Sequence, residues 1–528
     1  MKKVLFKTSL ICMAAFIGCS VFAEADPYGG GINPYNAGGY DPGAVDSSNF
    51  IQTQMYREKV KYEESKDPAI IQEEIRQKMD LLNTEQVSFK LKKINIVILE
   101  GKYGLVTVNN GKWERKSYLA KRYLSDNNIE TGKILNVKDV RNALADITAE
   151  EYMKGSVSFS DNEDSEEFSD ITLDIKDRFP LNLDLRYDNQ GREAIGSQRG
   201  VLYAGLHDVT GHGDTLMGTL SASKYSLGIG GMYSLPIAKN DTRLNLGYSY
   251  SKVALRHPAI RYLGLRGTSN DYFIGVSRRL AHGEGYRLYG DITFDWRDTE
   301  SSSKVFDFHS RYRSRVLRGT LTDIKDDQYG RWLFNAAVSG GIPIDASDYN
   351  KDRGMGSNNF VKVNTNLARL QVLPANQLLI MQVSTQYANR HMFASEAMQI
   401  GGINSVRGYD EGFRIGDYGV IANVEYRFPI PGFRHILPEK YKFISDSIQL
   451  AGFYDFGWYG DRFLANNIKN EREGDYMMSA GPGIVVKLTK YISANLYWGF
   501  PIGKRLDDFK GDKASRYRFH FTVTSNIL

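Results

Sequence analysis

Tyr286-Arg287-Leu288-Tyr289-Gly290-Asp291-Ile292-Thr293-Phe294-Asp295-Trp296-Arg297 decides the fold. Tyr286, Leu288, Gly290, Ile292, Phe294 and Trp296 fall on one face of an extended chain, and Arg287, Tyr289, Asp291, Thr293, Asp295 and Arg297 fall on the other. Successive strand side chains point to opposite faces, so a period of two separates an apolar surface from a polar one. A soluble sandwich also alternates, but its apolar face is inside and its wet face outside. Here the polar face repeatedly carries charge, and the apolar face is rich in Tyr, Phe and Trp. That division suits lipid on one side and a watery lumen on the other.

The pattern spreads in both directions. Leu181, Leu183, Leu185 and Tyr187 alternate with Asn182, Asp184, Arg186 and Asp188, and Leu244, Leu246, Tyr248 and Tyr250 repeat the scheme. Sixteen strands are expected, at 181–189, 198–207, 214–223, 226–237, 242–253, 269–281, 286–298, 314–325, 331–342, 359–372, 377–388, 418–429, 446–459, 477–488, 491–501 and 517–527. An even number allows a single chain to close as an antiparallel transmembrane barrel. The long link Asn389–Asp417 is assigned to the extracellular side. Asn189–Gln198 and Thr299–Arg313 share that side by parity.

Composition agrees with this class. The chain has 528 residues, with 33 Tyr, 51 Gly, 14 Pro and 2 Cys, and its mean hydropathy of -0.40 excludes a helical membrane bundle. Residues 1–23 read as a secretory signal: Lys2 and Lys3 precede an apolar run that ends at Val21-Phe22-Ala23. Cys12 and Cys19 both lie inside it, so the exported chain has no thiol for catalysis, disulfides or metal binding. The net charge of +5 is small for this length, and no basic cluster suggests nucleic acid. The eight His are scattered, and neither Gly-x-Ser-x-Gly nor His-Glu-x-x-His occurs. No enzyme activity, cofactor or metal centre is therefore expected. Asp214, after Gly211-His212-Gly213, is read as part of a hairpin turn.

The segment 24–86 is a Gly-rich linker followed by a helix from Pro68 to Leu82, with Asp67 as its N-cap. That helix either plugs the pore or packs on the next domain. Residues 87–178 form a compact α+β unit. A strand is expected over Phe89–Ile98, with helices over 113–124 and 137–153, the second ended by Gly155 as C-cap. The apolar positions of the first helix are Tyr118, Leu119 and Tyr123. Strands over Ser156–Ser160 and Phe168–Ile175 follow. The barrel occupies 179–528.

Two motifs remain. Val406-Arg407-Gly408-Tyr409 lies in the long extracellular link, and Phe453-Tyr454-Asp455-Phe456-Gly457 lies in the thirteenth strand. On that strand's period, Leu450, Tyr454, Phe456 and Trp458 face lipid, and Phe453, Asp455 and Gly457 face the lumen. A loop folded back into the barrel would bring Arg407 to Asp455, with Gly457 leaving room at the wall. Glu425, inward on the twelfth strand, is a second acceptor for Arg407. A planar guanidinium can bind a carboxylate through two hydrogen bonds at once.

With these motifs at these strand positions, the chain resembles the outer-membrane superfamily that joins periplasmic polypeptide-transport-associated (POTRA) domains to a barrel. Within it, residues 87–528 are most similar to the two-partner secretion transporters, or haemolysin secretion/activation proteins. Asn182 to Gly191 and Gly211-His212-Gly213-Asp214 resemble that family's barrel entrance. The order β-α-α-β-β over 87–178 is that of a POTRA domain. The resemblance implies a protein of the Gram-negative cell outer membrane with a periplasmic N-terminal region, surrounded by lipid and inserted by the barrel assembly machinery. It implies export of one cognate exoprotein, bound unfolded by the POTRA domain, with Arg407 and Asp455 holding the loop in its working position. The alternative within the superfamily is an insertase for other barrels. The chain departs from the family in showing one POTRA unit where two are usual, and in ending at Leu528 rather than at an aromatic residue.

Overall fold

A computed structural model describes residues 101–527, apart from 114–117, 151, 163–166, 257–260, 284, 304, 306, 344–355, 433–435, 437, 440–446, 462–473, 490 and 504–514. The signal, the linker, the helix over 68–82 and the strand over 89–98 lie outside the described residues.

The small N-terminal domain begins with β1 (Lys102–Asn109), followed by α1 (Tyr118–Asp126), α2 (Val137–Ala149), β2 (Met153–Asp161) and β3 (Phe168–Asp177). Its sheet has the order β1-β3-β2, with β1 parallel and β2 antiparallel to β3. Among the described residues the order is β-α-α-β-β, with β1 a strand that sequence reading did not assign; the strand expected over 89–98 lies outside them.

The helices differ in detail from expectation. The first described helical residue is Tyr118, which is exposed, while Leu119, Ala120, Tyr123 and Leu124 face the core. Asn136 caps α2 by accepting from the Lys138 N–H at 3.0 Å, and Val140, Ala143 and Ile147 pack on the sheet. Gly155 is not the C-cap. The helix ends at Ala149 with Glu150 as cap, and Gly155 lies inside β2. A Cβ at Gly155 would come within 3.1–3.3 Å of Leu144, Leu173 and Ile147, so glycine lets α2 approach the sheet.

The remaining chain closes into a barrel of sixteen antiparallel strands. They are β4 (Leu181–Asp188), β5 (Arg199–His207), β6 (Thr215–Ser223), β7 (Ser226–Ala238), β8 (Thr242–Ala254), β9 (Leu265–Gly283), β10 (Tyr286–Ser303), β11 (Phe308–Asp327), β12 (Gly330–Gly341), β13 (Val361–Leu373) and β14 (Gln377–Ala388). A two-stranded ribbon, β15 (Met398–Ile400) and β16 (Arg414–Gly416), interrupts the series. The barrel resumes with β17 (Tyr418–Pro429), β18 (Ile448–Gly460), β19 (Gly474–Lys487), β20 (Ile492–Ile502) and β21 (Arg518–Asn526). Closure is by β21 on β4, paired from Thr522↔Asp188 to Asn526↔Asp184.

The expected strand count holds, and most boundaries fall within a few residues. The stretch Thr299–Arg313 is the exception. Read as a link, it is mostly ladder, because β10 and β11 stay paired as far as Ser303↔Phe308. Cross-strand charges stabilise this polar extension: Arg311 pairs with Asp298 and Glu300, and Arg313 lies 3.7 Å from Asp298. Its side chains lack the apolar alternation by which the strands were found. Along the spanning strands the outward face carries Tyr272, Trp296, Trp332, Tyr454, Trp458 and Trp498, all exposed.

The small domain meets the rim formed by the β5–β6, β7–β8 and β9–β10 links. Arg279 of β9 is almost fully buried and reaches Asp146 of α2 at 2.6 Å and Asp126 of α1 at 3.9 Å. His282 is 2.8 Å from Asn127, and Tyr152 stacks on His207 with ring centroids 5.3 Å apart. Tyr123 donates to Glu150, which also faces Arg243. Burial, and then the charge of Glu150, push the Tyr123 hydroxyl well above its usual range, so it stays a donor.

Candidate functional site

The link from β14 to β17 folds back against the inner wall of the barrel. Its base is the β15–β16 ribbon, and its interior is turned by Gly401, Gly402 and Gly408, whose φ values of 106°, 106° and 100° favour glycine.

Arg407 sits against the wall formed by β17 and β18, 5% exposed. Its Nε and NH2 groups donate to the two oxygens of Asp455, each at 2.8 Å, and its backbone N–H donates to Asp455 Oδ2 at 2.9 Å. Its remaining terminal nitrogen donates to Glu425. The guanidinium also lies over the Phe453 ring, 3.7 Å from the centroid, with the Tyr497 ring at 5.0 Å. Asp455, with no exposed surface, additionally accepts from Asn423 at 2.8 Å. Glu425 accepts from Arg427 at 2.7 Å and from the Tyr497 hydroxyl at 2.8 Å.

The sheet supplies these groups in register. Asn423, Glu425 and Arg427 alternate on β17, Phe453, Asp455 and Gly457 on β18, and Tyr497 and Gly499 on β20. Asn423 is the ladder partner of Asp455, and Glu425 that of Phe453. Two arginines thus face two carboxylates, which leaves no net charge in the cluster. Such balance, with nearly every donor and acceptor satisfied, makes burial of four charges tolerable.

The rest of the loop motif packs. Val406 and Tyr409 are buried with Ile400, Ile421 and Met477. Gly457 has the role expected of it: a Cβ there would lie 2.8 Å from Ile400 and from Val406. Gly408 crosses Gly499 so closely that a Cβ on Gly499 would be 2.3 Å from the Gly408 nitrogen and 2.6 Å from the Arg407 carbonyl carbon. Backbone cannot yield as a side chain does. Gly499→Ala is therefore expected to unseat the loop while leaving β20 paired, read as new protease cleavage between 401 and 416 in a barrel with unchanged heat-modifiable mobility.

The loop has a second foothold. Glu396 lies 2.6 Å from Lys362 of β13 and 3.7 Å from both Arg318 of β11 and Arg297 of β10. Asp410 pairs with Arg518 of β21, and the Gly408 N–H faces His520 at 3.4 Å. The loop is therefore held on several sides of the lumen. Sequence reasoning brought Arg407, Asp455 and Glu425 to one place, where the structure puts them together. It missed Glu396, Arg427, Tyr497, Gly499 and His520. Strand parity was the available signal for Tyr497 and Gly499, since both fall on the inward face of β20.

The sequence profile of the haemolysin secretion/activation proteins ShlB/FhaC/HecB matches residues 167–481. The heme/hemopexin transporter protein HuxB of Haemophilus influenzae strain 86-028NP is 20% identical over 432 residues, which is 79% of this chain and 72% of that protein. Among solved structures, CdiB from Escherichia coli superposes with a TM-score of 0.64 at 17% identity, covering 81% of this chain and 77% of CdiB. CdiB from Acinetobacter baumannii gives 0.61 at 15% identity, with 81% and 74% covered. BamA from Haemophilus ducreyi, lacking POTRA domains 1–3, gives 0.55 at 15% identity, with 81% and 85% covered. At these identities the solved structures speak for the fold alone.

Proposed function

Because the chain belongs to the haemolysin secretion/activation family ShlB/FhaC/HecB, we propose that it is an outer-membrane transporter that exports one cognate exoprotein. The client enters from the side of the small domain and leaves through the barrel, and no nucleotide is hydrolysed at this membrane. The observation that carries the reading is a loop seated inside the barrel by a buried Arg407–Asp455–Glu425 cluster. A passive diffusion pore has no use for such a loop or for a docked α+β domain. HuxB is described as a heme/hemopexin transporter, which supports a transport role for this chain.

The small domain is the client receptor in this scheme, and it acts as a POTRA domain. Its strand β2 pairs with β3 on one side and, among the described residues, with no strand on the other. Main-chain pairing to such an edge captures an extended client without requiring a particular sequence. The direct test is to express the transporter with the product of the adjacent open reading frame. That product is expected in the medium only when the transporter is present. Release without the transporter would remove the proposal.

A further inference from the structure

His391 and Asp417, from the two ends of the β14–β17 link, and Asp461, from the β18–β19 link, converge on one point on the rim opposite the small domain. His391 follows β14, Asp417 directly precedes β17, and Asp461 directly follows β18. Their donor atoms all lie within 4.8 Å of one another. His391 Nδ1 is 2.9 Å from an Asp417 oxygen and 3.4 Å from an Asp461 oxygen. A single Nδ1 proton can satisfy one of these carboxylates but not both. An ion bound at about 2.1 Å holds neighbouring ligands about 3.0 Å apart at a right angle and about 3.4 Å apart at the tetrahedral angle. The two spacings around Nδ1 fall at those values.

We propose that His391, Asp417 and Asp461 bind one divalent transition-metal ion, zinc foremost. One imidazole and two carboxylates form a borderline-hard set of three, which suits zinc with its fourth position open to water. The imidazole argues against calcium or magnesium, which take oxygen ligands.

Asp417 and the main chain of His391 are fixed by backbone bonds independent of any ion. The second oxygen of Asp417 accepts from the Met392 N–H at 3.0 Å, and the Asp417 N–H donates to the Gly460 carbonyl at 2.9 Å. The Ser357 N–H donates to the His391 carbonyl at 3.0 Å. Such outer contacts orient ligands for a metal. Asp417 is 1% exposed, so its carboxylate is held in place at the point where the three side chains meet. His391 and Asp417 also mark the two roots of the loop that carries Arg407, and Asp461 ends the strand that carries Asp455. A bound ion therefore ties the roots of the loop to the strand that holds its tip.

The test is calorimetric titration of zinc sulfate into the purified, untagged full chain in detergent after treatment with EDTA, with metal content measured in parallel. One zinc per chain is expected, together with a raised thermal midpoint. His391→Ala and Asp461→Asn are each expected to weaken binding at least about tenfold, in barrels whose heat-modifiable mobility is unchanged. Failure of the unaltered protein to bind zinc, or zinc retained at full affinity by either variant, would overturn the proposal. In that case the cluster is a histidine shared between two carboxylates.

Discussion

Arg407→Ala is expected to reduce export of the cognate client at least about tenfold while the barrel remains folded in the membrane. The argument is one of stranded charge. Asp455 has no exposed surface and Glu425 is 7% exposed. Removing Arg407 leaves Asp455 with Asn423, the Ser479 hydroxyl and a backbone N–H, none carrying charge. Breaking a well-buried pair by deleting one partner costs about 3–5 kcal/mol. At 1.4 kcal/mol per factor of ten, the ratio of seated to released loop falls by roughly a hundredfold or more. The barrel wall is not expected to share this cost, because its ladder is made by backbone and water can reach Asp455 once the loop leaves. The measurement is client in the medium, with heat-modifiable mobility as the control. Normal export by the variant would separate the loop cluster from transport.

Deletion of 87–178 is expected to have an effect at least as large, abolishing export. Two links lead there. The deletion removes the β2 edge on which an extended client could pair, and it removes the tie between Arg279 and the two aspartates of α1 and α2. Arg279 would then face the solvent of the rim, which is cheaper than a stranded internal charge, so the barrel itself is expected to persist. The check is surface display of the client in cells whose truncated barrel is still heat-modifiable. A client that still reaches the surface would place its recognition elsewhere in the chain.

Most of the barrel was legible because lipid and lumen impose opposite demands on alternate residues. Leu181 to Asp188 and Tyr286 to Arg297 print that demand directly. It ceases above the membrane, where both faces are wet, and there Thr299–Arg313 was misread as a link. In the small domain, β1 was not assigned, and the end of α2 was set too late because Gly155 serves close packing rather than capping. At the site, Arg407 and Asp455 were readable because their motifs resemble those of a known family and strand alternation turns Asp455 inward. Glu396 was not, since its partners Lys362, Arg318 and Arg297 come from three strands whose mutual placement only closure of the barrel decides. His391, Asp417 and Asp461 were hidden for the same reason.

The central claim is that the Arg407 cluster seats the loop inside the barrel. It can be read by a disulfide, because both native cysteines, Cys12 and Cys19, fall in the N-terminal segment expected to be a signal. Val406 and the Cβ position of Gly457 are in contact, with 2.8 Å to the Val406 Cγ2 atom, a spacing compatible with a bridge once Ile400 gives way slightly. Cross-linking yield is compared between Val406→Cys/Gly457→Cys and the same pair carrying Arg407→Ala. The account predicts ready oxidation with Arg407 present and a yield reduced severalfold or more without it. Equal yields in the two proteins, or no cross-link in either, would contradict it.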